Sequence, residues 1–338
     1  MEHRRHRAAC QPDGGSADGA KMTFDHRITR GHLLRHIPPN SMIGVDVATL
    51  DVAQDFLLAH LHAAGMFDLV VFKGGTALRK LFAGTAGRFS TDIDLAIATP
   101  DEDRRTVADL VAETIDDTSA GPFRYRVENR RGRWLIHVDT DLANVAMPLK
   151  LDVGPPCWLA PDVRSFVPVP IHDRFDFALP DLPTMSLEEN LAEKVARLNR
   201  VAAARDASDL VWAATTTPFS GTDRNVVRRL AVLKIWVDVN GLNGHWHPTS
   251  STAAFDPSLW LRTGREWDDE SIGLLAHPPP PIEVLESDMV RLWKDLANLT
   301  VDEAVFAAAN EKDRSAVIAA IFSLPSAAVS ADELWRVQ

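Results

Sequence analysis

The spacing of apolar positions changes several times along the 338-residue chain, and each change marks a predicted element. Residues 45–64 carry Val45, Ala48, Leu50, Val52, Phe56, Leu57 and Leu61 at helical spacing, which predicts an amphipathic helix. Leu69-Val70-Val71-Phe72 is a short apolar run that ends at glycines, which predicts a buried strand. Thr76–Phe82 returns to helical spacing, with Ala77, Leu78, Leu81 and Phe82 on one side. Residues 89–97 read as a second strand, and 103–118 as a helix built on Val107, Leu110, Val111 and Ile115. Phe123–Val127 and Trp134–Val138 alternate as paired strands around a basic turn at 129–133, and 147–153 is a further strand.

Pro155 and Pro156 interrupt this pattern, and 159–185 reads as a connector of prolines and short extended pieces. A capping box, Ser186-x-x-Glu189, then opens a long helix with a stripe of Leu187, Leu191, Val195, Leu198 and Ala202. Helices follow at 222–239, 282–297, 301–309 and 312–323, with an irregular stretch at 240–281 that ends in four prolines. Residues 1–22 show no periodicity and are expected to be a disordered tail. The predicted organisation is this tail, a mixed α+β lobe over 23–165 and a mainly helical lobe over 166–338.

Composition is ordinary for a globular protein, at 46% apolar and 25% charged. No apolar run reaches membrane-spanning length, and the charged segment Met1–Arg7 lacks the apolar core of a secretory signal. Two cysteines, Cys10 and Cys157, exclude a disulfide framework, so a reducing cytoplasm is expected. The net charge of −11 argues against a general polyanion binder, but basic residues are unevenly spread. Arg79, Lys80 and Arg88 surround a glycine turn, and Arg130, Arg131 and Arg133 crowd one hairpin turn. These six are weak candidates for RNA contact.

The chemistry concentrates at three places. Lys73-Gly74-Gly75-Thr76 joins a strand to a helix, where glycines let a backbone approach a phosphate closely. Asp92 and Asp94 are two apart on a strand, so they share a face about 6.6 Å apart. A bound cation would turn their repulsion into attraction. Lys150 and Asp152 repeat the arrangement, and a third carboxylate would complete a two-metal site. Lys194 borders the apolar stripe of its helix, fit either to lay its stem over the core or to meet triphosphate oxygens. Asp206 and Asp209 share a face if helical, and their spacing serves ion pairing and catalysis equally. His245 and His247 flank Trp246 without a third ligand nearby, which disfavours zinc.

Four segments together resemble the AbiEii/AbiGii-type nucleotidyltransferase toxins, including the mycobacterial MenT group. They are Phe72–Leu78, Arg88–Leu95, Lys150–Asp152, and Leu187–Lys194 with Arg205–Leu210. The resemblance covers roughly 45–212 and implies a polymerase-β-like nucleotidyltransferase fold followed by a helical lobe. It implies that Gly74, Gly75 and Thr76 bind phosphate, with threonine where many members carry serine. It also implies that Asp92, Asp94 and Asp152 hold Mg²⁺ or Mn²⁺, that Lys150 and Lys194 contact the nucleotide, and that Asp206 or Asp209 is the last acidic residue. The expected activity is transfer of an NMP from an NTP to an RNA acceptor, the 3′ end of tRNA for a MenT-like member, which stops translation. The expected partners are the NTP, tRNA and a cognate antitoxin, in a toxin–antitoxin or phage-defence pair. The alternatives are a transferase or kinase acting on a protein and a small-molecule, antibiotic-type nucleotidyltransferase.

Overall fold

The computed structural model describes residues 23–99, 102–200, 204–216, 223–242, 254–257, 274–275, 281–325 and 327. The expected tail at 1–22 and the His245–His247 pair lie outside these residues. One mixed sheet draws its strands from residues 70–184. Its strands are β1 (Val70–Lys73), β2 (Asp92–Ile97), β3 (Thr118–Ala120), β4 (Phe123–Arg130), β5 (Arg133–Asp139), β6 (Leu149–Gly154), β7 (Asp162–Arg164) and β8 (Leu182–Thr184). Their spatial order is β3-β4-β5-β6-β2-β1-β8-β7. The pairs β2–β6 and β1–β8 are parallel, and the others are antiparallel.

Alternation along the central strands separates core from site. Ile93, Leu95 and Ile97 of β2 and Leu149, Leu151 and Val153 of β6 are buried in the main core. Asp92, Asp94, Lys150 and Asp152 therefore project from the other face. Helix α1 (Arg30–His36) precedes α2 (Val45–Ala63), which is buried on nearly all sides and not amphipathic as the spacing predicts. Its buried set includes Asp51 and Asp55, whose partners are described below. The β4–β5 turn places Arg131 and Gly132 at φ 55° and 82°, the two positive values of a twisted hairpin turn.

The predicted helix at 76–82 begins earlier, as α3 (Gly74–Leu78), and widens into a π turn at Arg79–Ala83. This turn brings Arg79 and Lys80 together onto Asp51, at 2.7 and 3.0 Å. The stretch 159–185 is more than a connector: β8 adds to the edge of β1, so the sheet continues past the expected boundary at residue 165.

Helix α4 (Arg104–Ile115) is N-capped by Asp103, whose side chain accepts from Thr106 N at 2.8 Å. The helical lobe contains α5 (Leu187–Arg200), α6 (Ala204–Thr215), α7 (Arg224–Asn240), α8 (Ile282–Trp293), α9 (Val301–Ala308) and α10 (Arg314–Phe322). Trp293 Nε1 donates to the Leu210 carbonyl at 2.9 Å, and Arg228 meets Glu303 at 2.7 Å, fixing α8 to α6 and α9 to α7. No helix among the described residues is long and apolar enough to cross a membrane.

Candidate active site

The end of β1, the start of β2 and Asp152 of β6 meet one side of α5, from Asn190 to Arg200, and residues of α6 and α7 around a cleft of about 310 Å³ between the sheet and the helical lobe. Strand register builds its acidic wall. Asp94 lies directly opposite Asp152 on the neighbouring parallel strand, and Asp92 lies opposite Lys150. Thus all three predicted carboxylates line one cleft. Lys150 and Asp152 are exposed, whereas Asp92 and Asp94 are half-buried.

The two glycines are needed first for space. Gly74 adopts φ 77°, and a Cβ there would come within 2.1 Å of Asp94 Oδ2. A Cβ on Gly75 would come within 2.2 Å of Arg88 Nη2. The Gly-Gly turn thus lets one carboxylate and one guanidinium reach the cleft, while its main chain borders the same space. Asn190 Nδ2 donates to the Gly74 carbonyl at 3.3 Å and fixes the turn to α5.

Charge is not balanced along the acidic wall. Burial, then the neighbouring charge of Asp92, pushes the Asp94 carboxyl up to about 6; Asp152 adds to this, while Lys73 and Lys194 oppose it. One Asp92 oxygen, Oδ1, is buried with no hydrogen-bond partner. The other is 3.7 Å from Arg205. Among the described residues no three His, Cys, Asp or Glu side chains already converge as a closed metal site. The donor set nevertheless fits a hard divalent cation: three carboxylates on one face, one with an orphaned oxygen and one that is costly to ionise alone.

The opposite wall is basic and tightly paired. Lys194 Nζ lies 3.1 Å from Asp206 Oδ1 and 2.7 Å from Asp209 Oδ2. Arg88 Nε meets Asp209 at 3.0 Å, and Arg197 meets Asp206 at 3.1 Å. Burial pushes Asp206 up, but Lys194, Arg197 and Arg88 outweigh it and hold its carboxyl below the usual range. Both predicted acids therefore hold Lys194 in place. Asp206 borders the cleft, and Asp209 braces Arg88 and Lys194.

Two sequence expectations are corrected here. Thr76 is completely buried, and its hydroxyl donates to the main-chain carbonyl of Asp92, so it supports the acidic strand from beneath and does not face the cleft. Arg79 and Lys80 are not RNA-facing either. They are 4% and 5% exposed, Arg79 is bidentate to Asp51, and Lys80 meets Asp51 and Asp55 at 3.0 and 2.8 Å. Arg88 is also buried, yet it lines the cleft. Arg130, Arg131 and Arg133 are exposed at the β4–β5 turn, with Arg130 paired to Glu128.

A chain of ion pairs beside the cleft has no counterpart in the sequence reading, which names Lys73 only in the glycine turn and Glu189 only in a capping box. Lys73 meets Glu193 at 3.0 Å, and Lys234 of α7 meets Glu189 at 2.9 Å and Glu193 at 3.4 Å. Burial pushes Glu193 up, but Lys73 and Lys234 overcome it and hold the carboxyl down at about 2. Glu189 also accepts from the main-chain N–H groups of Trp158 and Leu159. The available signal was Lys234 itself, a lone cation inside the apolar run Leu230–Val237.

A mixed sheet that offers carboxylates from two neighbouring strands beside a Gly-Gly turn, closed by a helical lobe carrying lysine, defines a nucleotidyltransferase. Residues 55–286 match the family model described as "Nucleotidyl transferase AbiEii toxin, Type IV TA system". The chain belongs to this AbiEii family of nucleotidyltransferase toxins from toxin–antitoxin systems. It is similar to the solved structure of MenT4, a nucleotidyltransferase toxin from Mycobacterium tuberculosis H37Rv. The two share 34% identity with a TM-score of 0.78, over 89% of this chain and 100% of that one. No curated protein matches.

Proposed function

We propose that this enzyme transfers an NMP from an NTP to the 3′ hydroxyl of an RNA acceptor, tRNA in particular, and so stops translation when its antitoxin is absent. The observation that carries this reading is the unbalanced carboxylate wall of Asp92, Asp94 and Asp152 facing a paired basic wall across one cleft. Similarity to MenT4 directs the choice of a toxic nucleotidyltransferase over an antibiotic-modifying one.

Asp92, Asp94 and Asp152 would hold Mg²⁺, which supplies charge neutralisation at the phosphates and polarises the attacking hydroxyl. The remaining work belongs to this chain's own residues. Lys194, held between Asp206 and Asp209, and Arg88, held by Asp209, present fixed positive charge to the triphosphate. Lys73, fixed by Glu193, stands at the turn where the phosphates enter. The acceptor oxygen attacks the α-phosphorus, the bond to the β-phosphate oxygen breaks, and pyrophosphate leaves with its electron pair. Asp152, the exposed carboxylate, takes the hydroxyl proton. Holding both reactants in line is the main source of rate, with electrostatic stabilisation of the transferring group.

Incubation with NTP labelled at the α- or the γ-phosphate, in the presence of tRNA, lysate protein or an aminoglycoside, tests this directly. The expected result is α-label on tRNA and none from γ. Label from the γ-phosphate would make the enzyme a kinase. Label on protein or on aminoglycoside would replace the RNA acceptor.

A further inference from the structure

Near the catalytic cleft lies a larger cavity, about 640 Å³, that the reaction described above leaves unused. One segment of chain serves both: Thr85 and Ala86 line the larger cavity, while Arg88 and Ser90 line the cleft. The other walls of the cavity come from α1, the residues just after it, and the 3-10 turn Pro170–Arg174.

The cavity has two chemically distinct sides. Ile37, Pro38, Pro170 and Ile171 make an apolar wall. Arg35 and Arg174 supply positive charge, and neither guanidinium has a hydrogen bond or ion pair within the described residues. Both bear on the imidazole of His32, which burial, then Arg174 and Arg35, hold below its ordinary value. Asp173 is the opposing carboxylate at the rim. Arg79 and His36 also reach the cavity, but both already meet Asp51 at 2.7 Å.

Unpaired guanidinium beside an apolar wall suits a phosphodiester together with its base. An acidic peptide side chain would satisfy the arginines and leave the isoleucine and proline wall uncovered. The floor is also tied to catalysis. Arg79 donates to the carbonyls of Gly84 and Gly87, at 3.1 and 2.5 Å, and so fixes the segment that delivers Arg88 to Asp209.

We propose that this cavity is a second acceptor subsite, seating one nucleotide unit of the RNA away from the reacting 3′ end, with Arg35 and Arg174 on its phosphate. This rests on the RNA-acceptor reading above and extends it to a surface outside the cleft.

The test uses the full chain and its Arg35→Ala/Arg174→Ala variant. Binding of a fluorescein-labelled single-stranded oligoribonucleotide is followed by anisotropy across a salt series. Transfer to total tRNA is measured alongside, with separate KM values for tRNA and for NTP. The subsite predicts a several-fold rise in the tRNA KM without a matching change for NTP. It also predicts that the slope of log affinity against log salt flattens by about 0.7, for the one phosphate that both arginines hold on a single strand. Should the double variant melt early, Arg35→Ala alone, on an exposed side chain, should still weaken oligonucleotide binding several-fold and raise the tRNA KM without a matching change for NTP. An unchanged slope and affinity overturns the subsite even if wild-type enzyme labels tRNA. Poly-glutamate is titrated in the same way, and loss of its binding in the variant with RNA binding intact overturns the subsite in favour of a protein partner. Failure of the wild-type enzyme to label any RNA counts against the proposed function instead, and the oligonucleotide arm still decides the cavity.

Discussion

Two clusters of charge stand at the two ends of the Lys73–Lys80 segment, one buried and one at the border of a cleft, and they differ in whether their charges are paired. At the far end, Asp51 and Asp55 face Arg79, Lys80, His36 and His172, all within 2.7 to 3.3 Å. Burial alone would push Asp51 up, yet Arg79, Lys80 and His36 hold its carboxyl well below the ordinary range. At the near end, Asp94 sits beside Asp92 and Asp152 and is pushed up to about 6. The first cluster is closed and complete, so it serves the fold. In the second, Arg205 reaches Asp92 only at 3.7 Å, and Asp94 and Asp152 have no ion pair among the described residues, so a cation and a polyphosphate can complete it. In local sequence the basic residues of the two clusters look alike; their partners separate structure from function.

The contrast breaks most sharply at Asp94. Asp94→Asn should lower nucleotidyl transfer by about a thousandfold or more, the scale of removing a principal charge-stabilising group. It should not lower the melting temperature. A carboxyl raised from an unfolded value near 3.9 to about 6 carries no penalty below pH 4 and an increasing one as pH rises through 6. Relief of that penalty is worth about 1–3 kcal/mol, so the variant should gain stability relative to wild type at pH 8 and not at pH 4.

Asp51→Ala should show the reverse pattern. It strands Arg79 and Lys80 without their shared carboxylate and should cost about 3–5 kcal/mol, read as a lower denaturant midpoint. Lys194→Ala tests the paired basic wall. Transfer should fall about a hundredfold, with a smaller loss of stability, because Asp206 and Asp209 both lose a cation. The smallest effect is expected at Glu193, whose side chain is 32% exposed. Its carboxyl is lowered, so its contribution is present above its unfolded value and fades as pH falls towards 2. Glu193→Gln should therefore cost about 1–2 kcal/mol at pH 7, discounted for solvent screening, and progressively less in urea melts below pH 4.5.

Much of the near cluster was legible in the sequence because its logic is local. A two-residue spacing places Asp92 with Asp94, and Lys150 with Asp152, whatever lies around them. The Gly-Gly turn was legible as well, though not its reason: Asp94 and Arg88 occupy the space that side chains at 74 and 75 would fill. The far cluster was misread because the partners of Arg79 and Lys80 lie on α2, 28 and 29 residues earlier, and no local spacing encodes that contact. Thr76 was misread for a related reason, since its acceptor is a main-chain carbonyl sixteen residues on. Strands β7 and β8 have three residues each, too few for alternation to register. The helical lobe was visible as periodicity, but the Lys234–Glu193–Lys73 chain of ion pairs depends on how α5 and α7 meet β1.

The central claim is that the uncancelled carboxylates, and not the cancelled ones, receive the metal-bound nucleotide. Calorimetric titration of Mg–NTP into wild type, Asp94→Asn and Asp51→Ala at a temperature where all three remain folded tests it most directly. Wild type and Asp51→Ala are expected to bind, and an Asp94→Asn protein that melts no lower than wild type is expected not to. Binding of Mg–NTP by Asp94→Asn with wild-type affinity would contradict it.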